Sequence, residues 1–268
     1  MELDAYLARI GLSGPVRPDG DGLAAIHIAH AGAIPFENLD IQADPPRPIR
    51  LEPAAVFAKL VTARRGGYCF EQNTLMGAML ERLGFGVRPM LARIMWRTGV
   101  PHGRTHLVLR VQTGGHVFLA DNGFGGLGLI APLPLEPGVE REIFGERWRL
   151  VPSGWAPGFE AHAFLDGVWR PLYWMSPDDP VAEPDVEIGN HYTETFPGSP
   201  FVQNRIVARN TPGVRRTILN GELKIRRGAD VETTRMADEA AFRSALAAHF
   251  ALDLPTDLKL RPHPEIAP

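Results

Sequence analysis

Arg64-Arg65-Gly66-Gly67-Tyr68-Cys69-Phe70-Glu71-Gln72-Asn73 is the stretch on which the reading of this chain turns. Two glycines allow the backbone a tight bend. Beyond them Leu75, Met76, Met79, Leu80 and Leu83 fall on one helical face, and Gly84 supplies a C-terminal stop. A helix therefore starts at or near Cys69. Its first turn presents free amide protons and partial positive charge. Both favour a thiolate, the reactive form of cysteine, and the same amides suit an oxyanion. Cys69 is the single cysteine of the chain, so an internal disulfide and a multi-thiolate zinc site are excluded. A lone cysteine is often a small buried hydrophobe; the glycine bend and the helix start point to a nucleophile instead.

Upstream, the pattern is helical. Leu3, Tyr6, Leu7 and Ile10 share a face that stops at Gly11. Leu23, Ile26, His27 and His30 suggest a second helix ended by Gly32 and Pro35, and Pro53 suits the first position of a third. From about residue 86 short apolar runs take over: Val87 to Trp96, Thr105 to Gln112, His116 to Asp121, Trp148 to Val151 and Ala161 to Leu165. These read as strands of an antiparallel sheet or barrel. Ser176 to Asp185 reads as a crossing linker. Further on, Asn220-Gly221 between two strand-like arms signals a hairpin, and Asp238 can cap a helix carrying Phe242, Leu246 and Phe250. The chain has 268 residues, 44% hydrophobic and 22% charged, which suits a packed core rather than disorder. A net charge of -3 gives no footing for nucleic acid or an anionic membrane. No signal peptide and no membrane span are expected, and a reducing cytoplasm suits the free thiol.

Thr105 to Asp121 reads as two strands joined near Gly114-Gly115. With Thr113-Gly114 as a two-residue turn, residue 106 lies opposite 121. With Gly114-Gly115 it lies opposite 123, and 121 is its diagonal neighbour. Either register puts His106 and Asp121 on one face, because side chains alternate with period two. A carboxylate there can accept the imidazole proton and stabilise the imidazolium. Leu107, Val108, Leu109, Val117, Phe118 and Leu119 surround the pair with apolar neighbours, a costly setting unless the two bond each other. His102 and His106 have helical metal-pair spacing, but Pro101 and Gly103 make a loop, and no metal is expected. Gly123-Phe124-Gly125-Gly126-Leu127-Gly128 matches GxGxxG only formally, since Pro132 and Pro134 forbid the helix that a dinucleotide site needs. A glycine-rich loop here instead permits close approach of a phosphate or pantetheine chain.

Together, Arg65-Gly66-Gly67-Tyr68-Cys69, Thr105-His106-Leu107 and Asp121-Asn122-Gly123-Phe124-Gly125-Gly126 resemble the arylamine N-acetyltransferases. Ile34 to Leu39, Asn190-His191-Tyr192 and Ser199-Pro200-Phe201 support the likeness; Asn122, where that family more often has valine, departs from it. The resemblance implies an α+β fold with a cysteine-protease-like core: an N-terminal helical bundle over residues 1–85, a central antiparallel β-barrel over 86–185, a linker over 186–200 and a C-terminal α/β lid over 201–268. It implies Cys69, His106 and Asp121 as catalytic residues, acetyl-CoA as acyl donor, and an aromatic amine or hydrazine as acceptor. Gly103, Arg104, Thr105, Gly125 and Gly126 become candidate CoA contacts. Phe36, Tyr68, Phe70, Phe124 and Phe196 become candidates to line an acceptor pocket. Arg65 is expected to pair with Glu37 or Glu71. The alternative is a thiol hydrolase of the papain or transglutaminase type. A monomer or a homodimer is expected.

Overall fold

The computed structural model describes residues 1–266. The first region holds α1 (Leu3–Ile10), α2 (Gly20–Ala33), a short strand β1 (Phe36–Glu37), α3 (Pro53–Phe57, continued by a π turn over Ala58–Thr62) and α4 (Cys69–Arg82). Gly11 ends α1 at φ 75°, Pro53 opens α3, and the Asp19 carboxylate caps α2 by accepting from the Gly22 amide. Tyr6, Ile26, Leu75, Met76 and Met79 make the core of this region, which continues into Leu109, Val111 and Ala120 of the next.

That next region has eight antiparallel strands: β2 (Gly86–Ile94), β3 (Arg104–Thr113), β4 (His116–Ala120), β5 (Leu133–Pro134), β6 (Glu140–Ile143), β7 (Glu146–Pro152), β8 (Phe159–Leu165) and β9 (Val168–Met175). Their order, β5-β4-β3-β2-β9-β8-β7-β6, rolls into an almost closed barrel. The chain then forms α5 (Glu183–Thr195), α6 (Pro200–Gln203), β10 (Ile206–Thr211), β11 (Val214–Leu219), β12 (Glu222–Arg227), β13 (Asp230–Arg235) and α7 (Glu239–Ala245, continued by a π turn over Leu246–Phe250). The last four strands form one sheet with β1 at its edge, Phe36 lying opposite Ala208 and Glu37 opposite Val207. The segment just upstream of Cys69 touches this edge, where Gly67 bridges Phe36. Among the described residues, no helix is long and apolar enough to cross a membrane.

Two stretches read as linker carry helix. The crossing segment Ser176 to Asp185 runs into α5 at Glu183, and α5 and α6 occupy most of residues 186–200. The reason is an inverted pattern. The buried face of α5 is small and polar, made of Gly189, Asn190 and Thr193, while Ile188, Tyr192 and Phe196 face outward. No apolar stripe in the sequence announces this helix.

Five charged side chains lock the approach to α4. Arg65 bonds Glu37 Oε1 through Nε at 3.1 Å and Nη2 at 2.7 Å, and reaches Asp40 at 3.1 Å. Lys59 Nζ bridges Asp40 at 2.6 Å and Glu71 at 2.7 Å. Of the two expected partners of Arg65, Glu37 is the one it meets; Glu71 takes Lys59 and accepts the Tyr68 amide at 3.1 Å. Burial pushes the Glu71 carboxyl up to about 7, with Lys59 opposing. Removing one member leaves buried charge uncompensated. Arg65→Ala is expected to cost about 3–5 kcal/mol in urea unfolding; a loss under about 1 kcal/mol, the surface ion-pair range, contradicts this.

Candidate active site

Cys69 is the first residue of α4. The glycines before it serve close approach rather than an unusual φ. A Cβ on Gly66 would sit 2.2 Å from the Pro35 carbonyl oxygen, and one on Gly67 would sit 2.7 Å from Glu71 Oε2. A side chain at Gly66 would push this bend off the Pro35–Glu37 segment, and one at Gly67 would collide with Glu71 in the first turn of α4. Gly123 makes a third such contact, where a Cβ would lie 2.5 Å from Cys69 Cα. The segment after Asp121 thus rests directly on the nucleophile candidate.

The β3–β4 hairpin adopts the second of the two expected registers. Thr113 pairs with His116, and the turn is Gly114-Gly115 at φ 55° and 78°, the two positive values of a type I′ turn. The ladder ends at Leu109 opposite Ala120, leaving His106 and Asp121 diagonal on a shared face. His106 Nε2 and Asp121 Oδ2 are 2.8 Å apart. The other ring nitrogen, Nδ1, is left for Cys69, whose sulfur also lies 3.8 Å from the Thr105 carbonyl oxygen. Exposure is 2% at Cys69, 2% at His106 and 0% at Asp121, so the group is screened from bulk water.

Burial alone disfavours an imidazolium at His106. The Asp121 charge, their hydrogen bond and the neighbouring Cys69 outweigh it and raise the group to about 10. Burial likewise pushes Asp121 up, but His106, Asn73 and the Gly123 amide hold its carboxyl below the usual carboxylate range. Oδ1 accepts from Asn73 Nδ2 at 3.0 Å and from Gly123 N at 2.8 Å. The Asp121 amide donates to His27 Nε2 at 3.1 Å. That bond requires a neutral His27, and burial pulls its imidazole down to about 4.

The remaining sequence candidates are spread out. Phe124 packs edge-on to His106 at 5.5 Å, and Tyr173 lies 5.0 Å from the same ring. Phe36, Tyr68 and Phe70 cluster with Cys69. Tyr68 bonds Asn190 of α5, and Phe36 meets Phe201 at 6.0 Å. Phe196 is not with them; it stacks on Tyr192 at 4.7 Å on the exposed face of α5. Of the expected CoA contacts, Gly103 is exposed, Arg104 pairs with Asp179 at 2.5 Å, and Thr105 offers its carbonyl to the sulfur. The Gly125 and Gly126 carbonyls already accept from Asn210 and Arg215 of the C-terminal sheet. Asn73, His27 and Tyr173 were not read from the sequence as parts of the site. For Asn73 a signal existed: it follows Cys69 by four residues and so shares its helix face.

Residues 19–259 match a family model described as N-acetyltransferase. The arylamine N-acetyltransferase of Mycolicibacterium smegmatis is 39% identical over 95% of this chain and 93% of its own length. The solved structure of that M. smegmatis enzyme superposes with a TM-score of 0.89 over 95% of this chain and 93% of its own. The structure of Mycobacterium marinum arylamine N-acetyltransferase in complex with CoA is 35% identical, with a TM-score of 0.87 over 94% and 93% of the two chains.

The His106 value can be measured directly. In protein with isotope-labelled histidine, the His106 ring is expected to titrate near pH 10 by NMR, and Asp121→Asn to lower that midpoint. A wild-type midpoint near the ordinary value of about 6.5 contradicts the electrostatics. Because the folded value is raised, the His106 contribution to stability is complete below about pH 6.5. It fades as pH rises through about 10.

Proposed function

Because this chain belongs to the arylamine N-acetyltransferase family, we propose that it carries an acetyl group from acetyl-CoA to an arylamine, arylhydrazine or arylhydroxylamine through a thioester on Cys69. The observation that carries the reading is the 2.8 Å His106–Asp121 bond with Cys69, the first residue of α4, beside the same imidazole. The M. marinum relative solved with CoA supports CoA chemistry on the donor side.

In the first half-reaction the Cys69 sulfur, paired with protonated His106, attacks the acetyl carbonyl of the donor. A carbon–sulfur bond forms to Cys69, the bond to the CoA sulfur breaks, and CoA leaves as a thiol with the proton from His106. His106 is now neutral. In the second half-reaction the acceptor nitrogen attacks the acetyl-cysteine, and His106 takes its proton as general base, a role worth about 10²–10⁴-fold in rate. The Cys69 sulfur departs and the starting ion pair is restored. Asp121 holds the ring oriented and stabilises its charge in both halves. Phe124, edge-on to His106, offers an apolar face to an aromatic acceptor. Hydrolysis of the thioester is the competing fate, and the near-complete burial of Cys69 and His106 supports transfer over hydrolysis.

Initial rates with acetyl-CoA and a simple arylamine are expected to give parallel double-reciprocal lines, as two half-reactions sharing one enzyme intermediate require. Intersecting lines overturn the proposal. Cys69→Ala is expected to lower acetyl transfer at least about a thousandfold with the circular dichroism spectrum unchanged; a variant retaining a tenth of the activity or more also overturns it.

A further inference from the structure

One buried amide touches all three segments of the site. Asn73 has no exposed surface and sits one helical turn after Cys69, on the same face of α4. Its Nδ2 donates to the carbonyl of Leu107, the residue after His106, at 2.6 Å, and to Asp121 Oδ1 at 3.0 Å. Its Oδ1 accepts the Asn122 amide at 3.1 Å. Both amide protons and the amide oxygen are used, and each bond goes to a backbone or side-chain group of the barrel. We propose that Asn73 is a positioning residue for the transfer reaction: it clamps α4, β3 and the Asp121 turn together and so sets where Cys69, His106 and Asp121 stand relative to one another. This rests on the reading of Cys69 as the acetyl carrier.

The chemistry selects this residue type. Aspartate has the shape but no proton to give Leu107 or Asp121 at neutral pH. Leucine has similar bulk and no polar atom. Glutamine is one methylene too long for a site closed on all sides. The helix that delivers the sulfur is otherwise joined to the barrel at this point by apolar packing, by the Gly123 contact, by Cys69 Sγ to the Thr105 carbonyl at 3.8 Å and by Asn122 Nδ2 to Met76 Sδ at 3.0 Å, and bonds through sulfur hold an orientation more weakly than an amide does.

A residue that merely supports the fold changes how much enzyme is folded. One that orients the site changes the pH profile of the enzyme that is. The charged and titratable groups around the His106–Asp121 pair are Cys69 of α4, Tyr173 of β9 and His27 of α2, and a substitution at Asn73 removes none of them. The test compares wild type, Asn73→Ala and Asn73→Asp in kcat/KM for acetyl-CoA across pH. Asn73→Ala is expected to lose about a hundredfold in kcat/KM, the scale of a small misplacement of reacting groups. Its acid limb is expected to move up, because Asp121 loses a donor to its charged form. Asn73→Asp keeps the shape and puts a second carboxylate against Oδ1. The two then share one proton, so activity falls as pH rises through their joint titration, a limb in addition to the one that loss of the His106 proton near pH 10 gives wild type.

Limb positions report only folded enzyme, so a lower yield cannot imitate them; should the alanine cavity unfold the chain, Asn73→Asp decides alone. Unmoved limbs, or kcat/KM within threefold of wild type, overturn the clamp. Wild type that never acetylates Cys69 fails the underlying reaction instead, which separates the two failures.

Discussion

A carboxylate with no contact to water must collect every hydrogen bond from the protein, and Asp121 is such a group. Its donors come from different parts of the chain: Asn73 from α4, His106 from β3, the Gly123 amide from its own turn. Its backbone N–H finds His27 of α2. Leaving one of these out strands a buried charge, at a cost larger than most surface interactions can offset. Satisfying one ion therefore adds a polar meeting point to the apolar core that the helical region and the barrel share. Cys69 is brought to His106 by that same meeting, so the geometry that solves the burial problem is also the geometry that the proposed chemistry at the sulfur requires.

The C-terminal sheet is drawn to the same place by contacts of another kind. β1 lies between α2 and α3 in sequence yet pairs with β10, and Glu37 of β1 holds Arg65 just before the glycine bend. The loop after Asp121 is pinned from the far side. Asn210 takes the Gly125 carbonyl, Arg215 takes those of Gly126 and Gly128, and a Cβ on Gly126 would be 2.7 Å from Thr217 Cγ2. The glycine-rich run thus acts as a spacer of minimum thickness between barrel and sheet. Three units converge within a few residues of Cys69, and glycines at positions 66 and 123 are what let them come so close.

Features set by local chemistry were legible in the sequence. Gly11, Pro53 and the Asn220-Gly221 turn all act where their backbone preferences place them, with Asn220 at φ 55°. The hairpin arithmetic at Gly114-Gly115 put His106 and Asp121 on one face in either register, and the observed register is one of the two. Features set by tertiary context were not legible. β9 contains Pro171, which breaks a strand pattern; it is tolerated beside the bulge at Ala161–His162. β13 has no buried residue and exists only by pairing with β12. α5 hides a polar face and exposes its aromatics. At the site, Cys69, His106 and Asp121 were readable because each belongs to a short motif. Helical spacing put His27 beside Leu23 and Ile26, and Asn73 one turn after Cys69, but the Asp121 amide and carboxylate that they meet are 94 and 48 residues away in sequence, and only the folded chain brings them there.

The central claim is that the buried sulfur at the start of α4 carries the acetyl group between donor and acceptor. The most direct measurement mixes the enzyme with acetyl-CoA and no amine, quenches in acid, and maps the modification by peptide mass spectrometry. The account predicts one acetyl group per chain, on Cys69, discharged when an arylamine is added before the quench. Unmodified Cys69 under conditions of full turnover, or an acetyl group on another residue that turns over at the catalytic rate, contradicts it.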